Sequence, residues 1–103
     1  MGVGVHPVLN KRLWYLIAGT RGGVNRAKII WLLRDRPRNA NVLADVLRLD
    51  YKTIRHHLDV LRNNDLVMTM GSGNGYATLY TLAPRLQTHF QEFLDIWSRI
   101  GEK

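Results

Sequence analysis

The 103-residue chain contains no cysteine, which excludes disulfide frameworks, thiolate metal sites and a cysteine nucleophile. Serine occurs only as Ser72 and Ser98, and neither has a base at motif spacing. There is no phosphate-cradling glycine loop ahead of a helix, no metal-ligand cluster and no nucleophile elbow, so the enzyme class is set aside and no cofactor is expected. Long hydrophobic runs are missing too. The apolar run from Leu13 to Ala18 is far short of the roughly 20 residues that span a bilayer. The basic start ahead of that run has the outline of a signal peptide, but no small-residue cleavage site follows it cleanly. The chain is therefore expected to be cytoplasmic, with no membrane partner. No internal repeat or low-complexity segment interrupts it, and one domain over residues 1–103 is expected.

Acidic residues are scarce in one place. The formal net charge is +7. Residues 1–38 hold eight Lys/Arg against one Asp, while residues 39–103 hold seven of each sign and sum to zero. A basic excess on one segment suggests an anionic partner, either nucleic acid or a membrane surface. Hydrophobic residues make up 46% of the chain. That is enough for a modest core, and a domain of this size often gains stability by pairing.

Helical spacing of Leu9, Leu13, Leu16 and Ile17 predicts an amphipathic segment over 8–18, broken by Gly19-Thr20-Arg21-Gly22-Gly23. A second helix is expected over 25–35, capped by Asn25 and ended by Pro37. Its five consecutive apolar residues, Ile29 to Leu33, mark it as a buried central helix. A short helix follows over 41–48, with Asn41 as its cap, then a turn at Leu49-Asp50. Asp50 is expected to cap a helix over 51–63, where a carboxylate also suits the positive end of the helix dipole. After Asn63-Asn64-Asp65 the period changes. Leu66–Met70 and Tyr76–Leu82 flank Gly71-Ser72-Gly73-Asn74-Gly75 and predict a β-hairpin. Pro84 opens a last helix running to about Ile100.

The informative segment is 41–63: a short helix, a tight turn and a capped helix with a basic face. A helix-turn-helix needs this order, because the first helix braces the second in the major groove. Ile54, Leu58 and Leu61 share the inward face of the second helix, and Lys52, Thr53, Arg55 and His56 lie outside it in the half that reaches base edges. Arg55 suits bidentate readout of guanine, and Lys52 suits a phosphate. Tyr51 and Arg62 edge this face. A hairpin after such a helix reads as a wing, with Asn74 and Tyr76 toward the minor groove or phosphates. Arg21, Arg26 and Lys28 are expected to supplement phosphate contact. The competing reading of the helix is an ordinary solvated charged face.

Asn39 to Leu47, followed by Asp50-Tyr51-Lys52-Thr53-Ile54-Arg55-His56-His57-Leu58-Asp59-Val60-Leu61, resembles the winged helix-turn-helix regulators of the ArsR type, nearest the group common in archaea. Asn64-Asp65-Leu66-Val67 and Tyr80-Thr81-Leu82 fit the same pattern, and the resemblance spans roughly 24–84. It implies a mainly α fold with a small β-hairpin: an N-terminal helix over 1–20, a winged-helix core over 24–83 and a C-terminal dimerisation helix over 84–103. It also implies a homodimeric repressor that binds double-stranded DNA, with the recognition face on Lys52, Thr53, Arg55 and His56.

Adjacent His56 and His57 point about 100° apart and do not share a metal. His57 is expected to pack and His56 to face outward. His89 and Glu92 stand i, i+3, a spacing that some metal-sensing members use, but the upstream ligands of those members are missing here. A surface ion pair is the expectation, and no metal site is assigned. Leu86, Phe90, Phe93, Trp97 and Ile100 follow the a/d spacing of a coiled-coil seam. They are expected to meet a partner helix, joined by Leu13 and Trp14, which makes a second copy of the chain the other partner. The alternatives are a winged helix that docks proteins, a non-specific architectural nucleic-acid binder, and membrane-surface attachment through the basic first segment with Trp14 and Tyr15 as anchors.

Overall fold

The computed structural model describes residues 7–70 and 78–100, the first four of these by backbone alone. Helix α1 (Pro7–Ala18) runs into Gly19, and helix α2 (Gly23–Asp35) starts almost against it. A Cβ on Gly23 would stand 1.7 Å from the carbonyl oxygen of Ile17, a contact no side chain survives. The glycine therefore exists so that α2 can begin in the shadow of the last turn of α1. Gly22, not Asn25, occupies the N-cap of α2, and its carbonyl accepts from the Arg26 N–H at 3.0 Å.

Helix α2 is buried on one face only. Ala27, Ile29, Ile30 and Leu33 are inside, but Trp31 keeps 36% of its surface. The expected all-round burial is corrected here, since five successive residues on a helix must visit every side. Trp31 lies instead edge-on to Phe90, Phe93 and Trp97, with ring centroids 5.8, 5.7 and 6.3 Å away.

A two-residue strand β1 (Arg38–Asn39) precedes helix α3 (Ala40–Leu47). Asn39, two residues before the expected Asn41, caps α3, its side-chain oxygen accepting from the Val42 N–H at 2.9 Å. Helix α4 (Tyr51–Asn63) follows a three-residue turn. Asp50 does sit at its N-cap, but its carboxylate accepts from the Thr53 hydroxyl at 3.0 Å and from no backbone N–H.

Arg48 closes α3 in the left-handed region, φ 58° and ψ 44°. A non-glycine residue pays for that conformation by about 1–2 kcal/mol, partly offset by the looser unfolded chain of a glycine variant. Arg48→Gly is therefore expected to raise stability by about 0.5–1 kcal/mol in a urea melt. An unchanged or lowered midpoint would show that the arginine side chain contributes more than its backbone strain costs.

Strands β2 (Val67–Met70) and β3 (Leu79–Leu82) pair antiparallel, Val67 opposite Leu82 and Met70 opposite Leu79. Strand β1 joins the other edge of β3, giving the order β1-β3-β2. The hairpin is thus the larger part of a three-stranded sheet, and β1 is too short to leave a periodic signal in the sequence.

The C-terminal helix is divided. Helix α5 (Pro84–Thr88) ends at His89, and helix α6 (Phe90–Ile100) begins directly after it. The break changes what the expected seam does. Leu13, Leu86 and Phe93 are 0% exposed and Phe90 is 5% exposed, all within one chain. These four have no surface left for a partner, and the expectation that they form a seam is corrected. They close the core on Leu16, Ile17, Ile30, Ile54 and Leu58, and α1 packs directly against α6. Trp14, Trp97 and Ile100 of the expected seam remain only partly covered, as does Leu94.

Candidate nucleic-acid interface

Helix α4 is held from below by Ile54, Leu58 and Leu61, each fully buried. That leaves Lys52, His56, Asp59 and Arg62 exposed on the outside. Lys52 and His56 are one turn apart and share a face. Tyr51 and Arg55 are half-buried and act as a unit. The Arg55 guanidinium carbon stands 5.9 Å from the Tyr51 ring centre, and its Nη1 makes a long 3.4 Å contact with the Tyr51 hydroxyl. The Arg55 Nε is buried and has no hydrogen-bond partner among the described residues. Thr53 has its hydroxyl donated to Asp50, so it arrives at this face with only lone pairs to offer.

Other expected contacts are distributed differently. Arg21 is exposed in the turn before α2. Lys28 is exposed, but it borders a shallow pocket with Trp31, Val46, Leu47 and Trp97, on the side of α2 where α3 and α6 meet. Asn74 and Tyr76 lie outside the described residues. Arg26 is a correction: it is 5% exposed and cannot reach a phosphate. Its Nε donates to the Leu16 carbonyl at 3.1 Å, its Nη2 to the Thr20 hydroxyl, and its Nη1 meets His57 Nδ1 at 3.2 Å. Sequence alone overlooked Arg48, an exposed cation at the end of α3, four residues before Lys52. Its position between two helices of a helix-turn-helix was the available signal.

His57 is 5% exposed, as its packing role anticipated. A guanidinium only donates, so His57 Nδ1 must accept and its proton must sit on Nε2. Burial first, then the charge of Arg26 and then His56, hold its pKa below the ordinary histidine value. Stability then follows by linkage. Above about pH 6.5 the imidazole is neutral in both folded and unfolded chains and contributes no pH dependence. Below that, the unfolded chain takes up a proton that the folded chain refuses. Stability is expected to fall on acidification from about pH 6.5, with a slope up to about 1.4 kcal/mol per pH unit from this one group. Urea melts of the wild type and His57→Gln across pH 5–8 test this, and equal slopes in the two proteins would refute it.

His89 and Glu92 form no metal cluster with a third ligand, and no group of three or more His, Cys, Asp or Glu suited to a metal exists among the described residues. The His89 ring lies 3.1 Å from the Arg85 carbonyl. No helix among the described residues is long and apolar enough to cross a membrane.

A braced helix with an outward polar face, a strand pair beyond it and flanking helices at both ends define a winged helix-turn-helix fold. Residues 23–69 match the family described as bacterial regulatory protein, arsR family, and the chain's winged helix-turn-helix is ArsR-like, in keeping with the resemblance read from its residues. No curated protein matches the sequence.

Among solved structures, a homodimeric winged helix-turn-helix DNA-binding domain from Mycobacterium bovis, described as a possible ArsR-family transcriptional regulator, is similar at 15% identity. That match has a TM-score of 0.64 and covers 96% of this chain and 90% of that one. MarR of Staphylococcus aureus, in complex with salicylate and kanamycin, is similar at 15% identity and a TM-score of 0.67, over 92% of this chain and 63% of that one. ZitR of Lactococcus lactis, as a mutant, shares 17% identity with a TM-score of 0.54, over 77% of this chain. This chain spans 60% of the length of that ZitR chain. At these identities the likeness is one of fold.

Proposed function

We propose that this chain is a cytoplasmic, sequence-specific, double-stranded DNA-binding transcription regulator that acts as a homodimeric repressor. One observation carries the reading. Helix α4 is fixed to the core by three fully buried side chains, and it turns Lys52 and His56 outward beside a half-buried Arg55 held against Tyr51. Arg55 then reads a base edge, Lys52 and Arg62 meet phosphates, and Arg48 and Arg21 extend the positive surface. Two copies pair through the outer sides of α1 and α6, where Trp14, Leu94, Trp97 and Ile100 are only partly covered. The M. bovis domain, described as homodimeric, supports pairing as such and says nothing of the surface used. Pairing sets two α4 helices about one DNA turn apart, roughly 34 Å.

A binding selection from random duplex DNA at two salt concentrations tests the proposal. The expected product is a two-fold repeat with half-sites about 10 base pairs apart. Uniform binding that collapses with salt would leave only the phosphate term and overturn sequence-specific regulation. A second reading, docking of another protein, draws on the exposure of Val42, Val46 and Trp31 beside α2 and α3. It gains ground only if the selection returns no DNA at all.

A further inference from the structure

We propose that Arg26 and His57 form the joint that holds the recognition helix at its working angle to α1, so that both residues govern duplex binding without touching DNA. The proposal rests on the DNA-binding reading above. Three separate pieces of chain meet at the Arg26 guanidinium: the last turn of α1 through the Leu16 carbonyl, the following turn through the Thr20 hydroxyl, and α4 through His57 Nδ1. The two ion pairs among the described residues belong to Arg36 and Arg38 with Asp35, and Arg26 has none. Its buried charge is therefore held entirely by neutral acceptors, one of them a carbonyl near the C-terminus of α1, where the helix dipole is negative. A cation so placed tolerates the loss of an acceptor poorly, because the freed N–H has no water to turn to.

The joint is also tight. A Cβ on Gly22 would stand 2.6 Å from His57 Cε1 and 2.9 Å from Arg26 Nη1, so the absence of a side chain at residue 22 is what admits the imidazole. On α4, His57 follows the exposed His56 directly and sits one turn after Thr53. A rigid helix displaced at His57 carries Lys52, Thr53 and His56 with it. The ionisable neighbours of this pair are His56 on α4, with ring centres 5.7 Å apart, and Tyr15 on α1, which interacts with Arg26. Protonating His57 removes the acceptor and sets an imidazolium against the guanidinium, which opens the same joint that mutation would open. Burial and the charge of Arg26 resist that protonation, as the lowered pKa of His57 reflects.

The test uses the full chain, the selected duplex and three variants: His57→Leu, which has no acceptor; His57→Gln, whose amide oxygen still accepts; and Gly22→Ala, which crowds the joint without altering charge. Duplex affinity is read by fluorescence anisotropy, and amide hydrogen exchange is read along α4 in the free protein. With helicity retained, His57→Leu and Gly22→Ala are expected to weaken binding by about 3- to 30-fold and to speed exchange at residues 52–56. His57→Gln is expected to stay within about threefold of wild type at pH 7.5, because its acceptor is kept. Between pH 7.5 and 5.5 the wild type is expected to lose affinity relative to His57→Gln. Wild-type affinity and exchange in His57→Leu and Gly22→Ala would overturn the joint. If His57→Leu fails to fold, parallel pH curves for wild type and His57→Gln would overturn it equally. If even the wild type binds no duplex, the DNA-binding reading falls, and exchange at residues 52–56 decides the joint alone.

Discussion

Arg55→Ala is expected to weaken binding to the selected duplex by about 5- to 150-fold and to relax preference at one base pair. The expectation comes from how Arg55 is held. A free arginine must give up rotamer entropy to fork onto a guanine edge. Here the Tyr51 ring and hydroxyl already confine it, at 5.9 Å from the ring centre and 3.4 Å from the oxygen. Its Nε is buried, so the ends of the guanidinium, not Nε, are the groups a base acceptor would meet. The hydrogen bond it donates to the Tyr51 hydroxyl is the first cause that raises its pKa, so the group stays charged across the working range. Lys52→Ala should behave differently. A phosphate contact carries no sequence information, so affinity should drop for every duplex alike and the salt dependence should become shallower by about one counterion. Affinities and a repeated selection with each variant separate the two. An unchanged motif and affinity in Arg55→Ala would sink the assignment of α4 as the reading helix.

Phe93→Ala is expected to cost about 3–5 kcal/mol. The ring is fully buried and meets Trp31, Phe90 and Trp97 at centroid distances of 5.7, 5.0 and 6.4 Å. Its removal leaves a cavity where α2 and α6 meet, at a point the backbone cannot collapse to fill. Against a total stability of about 5–15 kcal/mol, that is a large fraction of the fold. The thermal midpoint should fall by at least about 12 °C. Melts at several protein concentrations also separate the two roles that the 86–100 stripe could play. A loss independent of concentration places Phe93 in the core of one chain. A loss that disappears on dilution would return it to a seam between copies. By contrast, Ile100→Asp is expected to leave the melt at low concentration nearly unchanged and to shift the protein toward monomer in sedimentation.

The helix-turn-helix was legible because its signals are local. Ile54, Leu58 and Leu61 recur at helical spacing, and burying them alone forces Lys52 and His56 outward. The wing was legible from the change of period after Asn64 and the glycines between the two strands. Caps were read less well. Asn39 and Asn41 are equally good caps in isolation, and only the pairing of Asn39 with Leu79 in the sheet, which holds it extended, decides between them. Strand β1 was missed for the same reason, since two residues carry no period. Arg26 shows the deeper limit. Its charge and its place in a basic segment argued for a phosphate, and nothing local said otherwise. Its partners stand 10, 6 and 31 residues away, and only their convergence makes a buried guanidinium tolerable.

The sequence by itself determined the order of the larger elements, the inward face of α4, the family likeness and the absence of thiol chemistry, because each follows from residue type and short spacing. The tertiary structure decided which apolar stripe the chain keeps for itself, how the last helix divides at His89, and which cations stay on the surface. Those outcomes depend on what lies opposite a side chain, and a hydrophobic stripe looks the same whether its own core or a second copy covers it.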